Sequence, residues 1–399
     1  MALDFNFTEE QRMLEDSVYK WAMAWLEPQM EHAYEIDEMP KDLFKQTGDL
    51  GINGIVFEEK YGGAALGYVE TLLAYETIAR VSNALSMTVG ASQTLCFDNF
   101  RRNAKEEQKL RVLPKSCTGE WIGCLGITEP NAGSDAMGMA TKAEKKGDKY
   151  IINGSKIFIT NGPVADFMVF YAKTDPAAGP KGISTFFFET AEKKAKGQVK
   201  FEKIKKWGMR TSPTALVTFE DMELPEENLI GGLNKGVAVL TSGLCTERIT
   251  LSGCTLGGQR TCLELSLKYA KERVQFGKPI ASFQSIQEKL ANMYCNYKAG
   301  KFLAYSAAAY CDSLTNKAGG KGTDLDRMAA ASLLFNGEVG TKTGLDAIQI
   351  HGGYGYTTEY AISRHFLDQK LWEIGAGTSE IRRMIIAREL MRDDFKSGL

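Results

Sequence analysis

The sequence predicts a mainly helical protein of the α+β class, with a helical N-terminal domain, a middle β-domain and a C-terminal helical bundle. Three observations lead to this prediction. Apolar residues recur at helical spacing over roughly the first 120 residues, short β-rich runs follow, and proline-free helical segments come after Gly236. The chain has 399 residues, which is long enough for two or three domains. We place the domains at 1–122, 123–235 and 236–399.

The N-terminal domain begins with a helix that carries a capping signal. Gln11 follows Thr8 at capping-box spacing, and apolar residues then recur until Pro28 ends the run. A second amphipathic pattern predicts a helix over 69–79, after a Gly-rich loop.

The pattern changes to that of strands after about Trp121. Two β-rich runs flank Asn153-Gly154, a pair that tolerates the positive φ of a tight turn, so we expect a β-hairpin turn there. Further β-rich runs are separated by Pro, Gly and Lys and occupy 167–171, 183–188, 199–204 and 215–220. The lysine-rich stretch 194–206 is interpreted as a solvated face.

The C-terminal domain is predicted from three long segments that lack proline. They cover 237–273, 283–311 and 324–351, with apolar residues at three- and four-residue steps. Long helices joined by short links are typical of a bundle.

Composition excludes several classes of function. The 48 Lys and Arg are balanced by 50 Asp and Glu, so the net charge of -2 provides no positive field for nucleic acid. Eight cysteines without C-x-x-C and three histidines form no local zinc motif, so we expect no metal. No apolar run reaches 18 residues, and the N-terminus has no signal-peptide pattern. We therefore expect a cytoplasmic protein with buried, reduced thiols, neither exported nor inserted in a membrane.

Two glycine-containing segments are candidates for ligand binding. Gly126–Asp135 combines small residues with a hydroxyl and a carboxylate, so its backbone N–H groups could approach a phosphate or a ring oxygen. His351–Gly355 follows a predicted helix rather than a strand. An ordinary turn and a helix terminus remain the alternatives for these two segments.

Glu247 is the most informative single residue. It falls on one helical stripe with Leu240, Leu244, Leu251 and Cys254, so a carboxylate occupies a position that should face the core. Burial disfavours the charged form and raises the pKa of a carboxyl group, as a general base near neutral pH requires. A structural ion pair is the alternative, although Arg248 points about 100° away on an ideal helix.

Four motifs in order along the chain resemble the flavin-dependent acyl-CoA dehydrogenase family. They are Gly126–Asp135, Arg273–Gly277, Gln349–Tyr356 with Glu359, Arg364 and Asp368, and Gly377–Arg383. The resemblance spans almost the whole chain and implies the family fold, which has the same helical, β, helical order. It also implies an acyl-CoA substrate, a homotetramer and electron transfer to an electron-transfer flavoprotein.

The resemblance further implies FAD, bound between the β-domain and the C-terminal helices. The residues that would line the flavin are Leu125, Ile127, Thr128, Gly133, Ser134, Phe158, Ile159 and Thr160. Those that would hold the pyrophosphate and adenosine are Arg273, Gln275, Phe276 and Gln284, with Gln349, Gly352 and Gly353 from a neighbouring subunit; Thr378 and Glu380 would close the site. The implied substrate contacts are Ser134, Cys245, Thr246, Arg248, Ala376 and Gly377.

One departure from the family pattern concerns the catalytic base. Most members carry a Glu where this chain has Ala376, but Leu240–Arg248 resembles the branch typified by isovaleryl-CoA dehydrogenase, in which the Glu has moved to this helix. Glu247 is therefore the predicted base, with Glu373 and Glu380 as alternatives. The implied reaction is α,β-dehydrogenation of a short branched or cyclic acyl-CoA, with the backbone N–H of Ala376 assisting at the thioester oxygen. An enoyl-CoA reductase using the same site in reverse and a flavoprotein that is not a dehydrogenase remain alternatives.

Overall fold

A computed structural model describes residues 6–314 and 324–392 of the chain. In this structure, helical segments precede and follow a mixed β-sheet that is formed by the middle of the chain, as the sequence predicts. The predicted domains start at residue 1 and end at residue 399, so their outer limits lie outside the described residues.

The N-terminal part consists of helices that contribute to more than one apolar core. They are α1 (Glu9–Trp21), α2 (Met30–Ile36), α3 (Leu43–Asp49), α4 (Tyr68–Ala79), α5 (Asn83–Gly90), α6 (Asp98–Asn103) and α7 (Glu106–Cys117). The predicted capping box is confirmed, because Thr8 and Gln11 exchange hydrogen bonds. Helix α1 continues as one π-helical segment, Ala22–Leu26, before Pro28, and a second π-helical segment, Ala91–Phe97, follows α5.

The middle part forms one mixed sheet. Its strands are β1 (Gly123–Gly126), β2 (Lys142–Lys146), β3 (Lys149–Thr160), β4 (Phe167–Lys173), β5 (Ile183–Glu189), β6 (Val199–Lys203), β7 (Thr214–Pro225) and β8 (Leu229–Ile230), with helix α8 (Thr190–Ala195) between β5 and β6. The sheet order is β6-β7-β3-β2-β4-β5-β8, and β1 pairs in parallel with β4.

The predicted hairpin turn at Asn153-Gly154 is wrong. Strand β3 runs through this pair with a register shift against β7, and the β2–β3 turn lies at Gly147 instead. The Asn153 side chain bonds to both the backbone N–H and the carboxylate of Asp221. A Cβ at Gly154 would lie 2.6 Å from the Thr141 hydroxyl, so close packing rather than a turn requires this glycine.

The C-terminal part is built on α9 (Gly236–Glu272), a single helix of 37 residues. The remaining elements are strands β9 (Val274–Gln275) and β10 (Lys278–Pro279) and helices α10 (Gln284–Ser313), α11 (Asp324–His351), α12 (Ala361–Gln369) and α13 (Ser379–Leu390). Helix α9 packs against α4, α10 and α11, so it links the N-terminal helices to the bundle.

The cysteines form no disulfide, and all except the exposed Cys295 are buried, largely as expected. Within residues 6–314 and 324–392, no group of His, Cys, Asp or Glu is arranged to hold a metal ion. No helix in this described part of the chain is both long and apolar enough to cross a bilayer.

Candidate active site

Glu247 lies on the buried face of α9, as the helical stripe predicts. Its side chain is 6% exposed, and Leu240 and Leu251 on the same stripe are also buried. Among the described residues, no group hydrogen-bonds to its carboxylate. Burial raises the pKa of Glu247 to about 7, although the charges of Arg248 and Arg382 oppose the shift. The carboxylate is thus poised to exchange a proton near neutral pH.

Two buried arginines hold the turn that follows Glu373. Arg382, fully buried on α13, donates to the carbonyl oxygens of Trp372, at 2.6 Å, and of Gly375. Arg248 Nε lies 3.4 Å from the carbonyl oxygen of Ala376. The charges of both arginines also lower the pKa of Glu247, so the two cations that hold this turn act on the carboxylate as well.

The turn itself leaves space and free N–H donors. Ala376 has a φ of 55° and Gly377 one of 87°, so the backbone is left-handed at both residues. A Cβ built at Gly375 would have no atom closer than 3.5 Å. Within the described part of the chain, no oxygen accepts a hydrogen bond from the backbone N–H of Ala376 or Gly377. The turn can therefore accept a ligand carbonyl close to Glu247.

The two alternative bases are less suited to proton abstraction. Glu373 forms an ion pair with Lys370 at 2.7 Å. Glu380 is exposed at the start of α13, where hydrogen bonds from its own N–H and from Thr378 lower its pKa. Of the three carboxylates, only that of Glu247 is buried, and burial raises its pKa.

A buried ion pair that sequence reasoning missed supports the Gly126–Asp135 loop. Lys156 Nζ lies 2.8 Å from Glu129 Oε1 and donates to the carbonyl oxygen of Ile127, while Glu129 also accepts from the N–H groups of Ala140 and Thr141. Burial lowers the pKa of Lys156 to about 8 against the attraction of Glu129. The two residues are 27 positions apart and share no motif, so the sequence contains no signal that would pair them.

The predicted flavin residues lie on this loop and on the neighbouring part of β3. Leu125 is buried in β1, and Ile127 and Thr128 are half-buried. Gly133 and Ser134 are exposed, and a Cβ at Gly133 would meet no atom within 4 Å.

Strand β3 contributes a strained aromatic residue to the same region. A register shift between Lys156 and Ile159 leaves Phe158 with a φ of 60° and its ring 63% exposed. Ile159 is buried and Thr160 is half-buried. Positive φ is costly for a bulky residue, and an aromatic ring held in solvent by such a backbone marks a ligand surface. An aromatic face next to an open loop fits a planar ring such as that of a flavin.

A cavity of about 750 Å³ opens at the far end of α9. Its lining includes Arg273, Gln275, Phe276, Gly352 and Gly353, all of one chain. Arg273 stacks on the Tyr354 ring, and no carboxylate in the described residues pairs with it. An unpaired cation beside open glycines fits a pyrophosphate.

Three further predicted residues lie at helix ends. Gln284 and Gln349 are exposed near this cavity in sequence but are not among its lining residues. Thr378 caps α13 through a hydrogen bond from the N–H of Ile381. Because one chain supplies both Arg273 and Gly352, these two segments need not come from different subunits.

The side chains of Cys245 and Thr246, two of the predicted substrate contacts, bond to other protein groups. Both are buried, and Cys245 Sγ lies 3.0 Å from an Asp326 oxygen. The Thr246 hydroxyl donates to the carbonyl oxygen of Gly243 and accepts from Arg102. Side chains one and two positions before Glu247 point to other faces of α9, which the motif alone does not reveal.

Comparisons with known proteins agree with this arrangement. Family models of the N-terminal, middle and C-terminal domains of acyl-CoA dehydrogenases match residues 8–120, 124–222 and 234–391. The mitochondrial isovaleryl-CoA dehydrogenase of Oryza sativa subsp. japonica is 43% identical over 394 residues, covering 97% of this chain and 93% of the relative.

Two solved structures extend the likeness to three dimensions. The butyryl-CoA dehydrogenase of Megasphaera elsdenii is 34% identical with a TM-score of 0.92, covering 98% of this chain and all of that one. The FAD complex of PigA is 31% identical with a TM-score of 0.90, covering 97% and 99%. Buried Glu247, the open turn beside it and three matching domains lead to one conclusion: the chain belongs to the acyl-CoA dehydrogenase family, whose members are FAD-dependent oxidoreductases.

Proposed function

We propose that this acyl-CoA dehydrogenase oxidises the Cα–Cβ bond of a short branched acyl-CoA, with Glu247 as the catalytic base. The single observation that carries the proposal is the position of a buried carboxylate, with a pKa of about 7, beside the open turn Gly375–Gly377. The similarity of the sequence to isovaleryl-CoA dehydrogenases supports the same assignment.

The proposed reaction divides the work between Glu247 and the turn. Glu247 removes the proton on the carbon next to the thioester carbonyl, and its buried surroundings make the carboxylate a stronger base than in water. The N–H of Ala376 donates to the carbonyl oxygen, where negative charge develops. FAD held by the predicted flavin residues would supply the acceptor for the hydride that leaves the β-carbon. Leu240 and the half-buried Leu95 and Leu244 exclude water from the acyl group.

We further propose that two copies of the chain complete each FAD site. Glu247 and Arg273 are 26 positions apart along α9, or about 39 Å at 1.5 Å per residue. An extended FAD molecule reaches only about 20 Å, at roughly 1.2 Å per covalent bond. A flavin ring beside Glu247 is therefore too far from Arg273 of the same chain for one FAD molecule to reach both. Exposed apolar residues on the bundle, such as Tyr294, Phe302 and Met384, provide surface for the homotetramer that the family implies.

The Arg273 cavity predicts that the enzyme binds FAD and not FMN. Arg273→Ala should weaken FAD binding by at least about tenfold, since a hydrogen bond to a charged group contributes about 1.5–3 kcal/mol. Lys271→Ala, an exposed lysine on the same helix end, is the control and should retain FAD. Fluorescence titration of the apoprotein measures the FAD affinity of both variants. For the proposed homotetramer, light scattering of the wild type should give four times the 44.0 kDa chain mass. Equal FAD affinity in the two variants would exclude this cavity as the pyrophosphate site.

The open turn predicts a preference for branched substrates. Gly375 leaves room beside the acyl chain, and each buried CH₂ contributes about 0.8 kcal/mol. We expect kcat/KM for isovaleryl-CoA to exceed that for its straight-chain isomer by roughly tenfold. Gly375→Ala should be tolerated, because the φ of Gly375 is not left-handed and a Cβ fits there. The added methyl group should fill the space and so reduce the preference for isovaleryl-CoA. A clear preference for octanoyl-CoA would contradict the shape argument but not the chemistry.

The segment Ala91–Phe97, which the family resemblance places at the floor of the acyl pocket, could occupy that space mainly through one side chain. Gln93 and Thr94 are buried and bonded to Ser116 and Tyr75, respectively. Only Leu95 on the segment Ala91–Phe97 is half-exposed.

The pKa of Glu247 predicts the pH dependence of catalysis. A base must be deprotonated, so kcat/KM should rise tenfold per pH unit below about pH 7 and level off above it. Initial rates from pH 5.5 to 9 with isovaleryl-CoA give the profile. A rate that is flat from pH 5.5 upward would show that the working base has the ordinary pKa of an exposed carboxylate.

An electron-transfer flavoprotein is the proposed electron acceptor, as the family resemblance implies. The reverse reaction, reduction of an enoyl-CoA, would use the same residues in the same positions. The cytoplasmic location expected from the free cysteines remains a prediction.

A further inference from the structure

Arg382 is a fully buried cation without a carboxylate partner. Its side chain is 0% exposed, and no Asp or Glu oxygen in the described residues lies within ion-pair distance of its guanidinium. Burying a charge without an ion pair is costly, so the donors of this group must serve another purpose. They are directed at backbone carbonyls: those of Leu333 at 3.3 Å, Trp372 at 2.6 Å and Gly375.

The bond to Gly375 fixes the direction of a different group. The C=O of Gly375 and the N–H of Ala376 belong to one planar trans peptide, in which they point in opposite directions. An arginine that holds the carbonyl on one side therefore directs the N–H to the other side. That N–H bonds to no oxygen of the described chain, and it belongs to the residue with a φ of 55°.

The carbonyls before and after this peptide are held as well. Arg382 also binds the carbonyl of Trp372, and Arg248 Nε approaches that of Ala376 at 3.4 Å. A left-handed alanine costs about 1–2 kcal/mol and needs such support to persist. A bond from a charged donor also polarises the peptide, which strengthens its N–H as a donor on the far side.

We propose that Arg382 is a positioning residue that aims and polarises the N–H of Ala376 at the substrate thioester oxygen. This inference rests on the proposed function. Arg382 does not touch the substrate and acts only through the peptide between Gly375 and Ala376.

The test compares two ligands that differ only in the carbonyl group. The thioester 3-methylcrotonyl-CoA can accept the N–H, whereas the thioether S-(3-methylbut-2-enyl)-CoA cannot. For the wild-type FAD enzyme we expect the thioester to bind more tightly. Arg382→Gln should reduce the thioester affinity about tenfold or more, leave the thioether affinity unchanged and lower kcat by up to about 10²-fold. Arg383→Gln removes the neighbouring exposed arginine, which pairs with Glu338. This control should change neither the two ligand affinities nor kcat.

The outcomes separate this inference from the proposed function. Equal losses for both ligands, or no loss for either, would overturn the role of Arg382. If wild-type enzyme oxidises no acyl-CoA, the proposed function fails instead. Should Arg382→Gln not fold, Arg382→Lys keeps the buried charge but replaces the planar guanidinium fork by a compact ammonium group that cannot span the same carbonyls. The ratio of thioester affinity to thioether affinity should then fall as well.

Discussion

Replacing Glu247 by Gln should lower kcat for acyl-CoA oxidation by about 10²–10⁴, the range expected for loss of a positioned acid–base group. Glutamine keeps the shape of the side chain, so the affinity for FAD and for product should stay close to wild type. The residue is buried, and no group among the described residues hydrogen-bonds to its carboxylate, so the substitution breaks no bond in the structure. Steady-state rates with isovaleryl-CoA and an artificial acceptor measure the loss.

Glu373→Gln is the matched control for this prediction. Glu373 lies near the same turn but is paired with Lys370, so its loss should cost less than about tenfold. An inactive Glu373→Gln together with an active Glu247→Gln would assign the base to Glu373.

Lys156→Met should destabilise the protein by about 3–5 kcal/mol, because it leaves the Glu129 carboxylate buried without its cation. The same change should loosen the Gly126–Asp135 loop, since Lys156 also bonds to the carbonyl of Ile127. Urea unfolding of the FAD-free protein measures the stability, and FAD titration measures the effect on the loop.

An exposed lysine of the same sheet provides the control. Lys145 pairs with Glu226 at 2.8 Å, with both side chains about half exposed, and such pairs contribute about 0–1 kcal/mol. Lys145→Met should therefore change the free energy of unfolding by less than about 1 kcal/mol. Similar losses in the two variants would show that burial of the Lys156 pair has no special role.

The features predicted from the sequence are those that follow from the regular spacing of apolar residues. A stripe of Leu residues on α9 identified Glu247 as buried, because only a core-facing position repeats at three- and four-residue steps. Long proline-free segments gave the bounds of α9, α10 and α11 to within two residues. The motifs then identified the family, which spacing alone did not.

Features that depend on tertiary contacts were not predicted. Asn153-Gly154 has the composition of a turn, but Asp221 and Thr141 hold it in a strand. Glu129 and Lys156 meet only because β3 packs beside the loop after β1. Arg382 and Arg383 are adjacent on α13, and the amino-acid sequence does not show that Arg382 is the buried one.

Anaerobic reduction of the bound flavin by isovaleryl-CoA tests the central claim most directly, because it isolates proton and hydride removal from the later electron acceptor. We predict rapid loss of flavin absorbance in the wild type, a rate that increases with pH up to about 7, and a loss at least about 10²-fold slower in Glu247→Gln. Reduction of Glu247→Gln at the wild-type rate, with the same pH dependence, would contradict the assignment of Glu247 as the base.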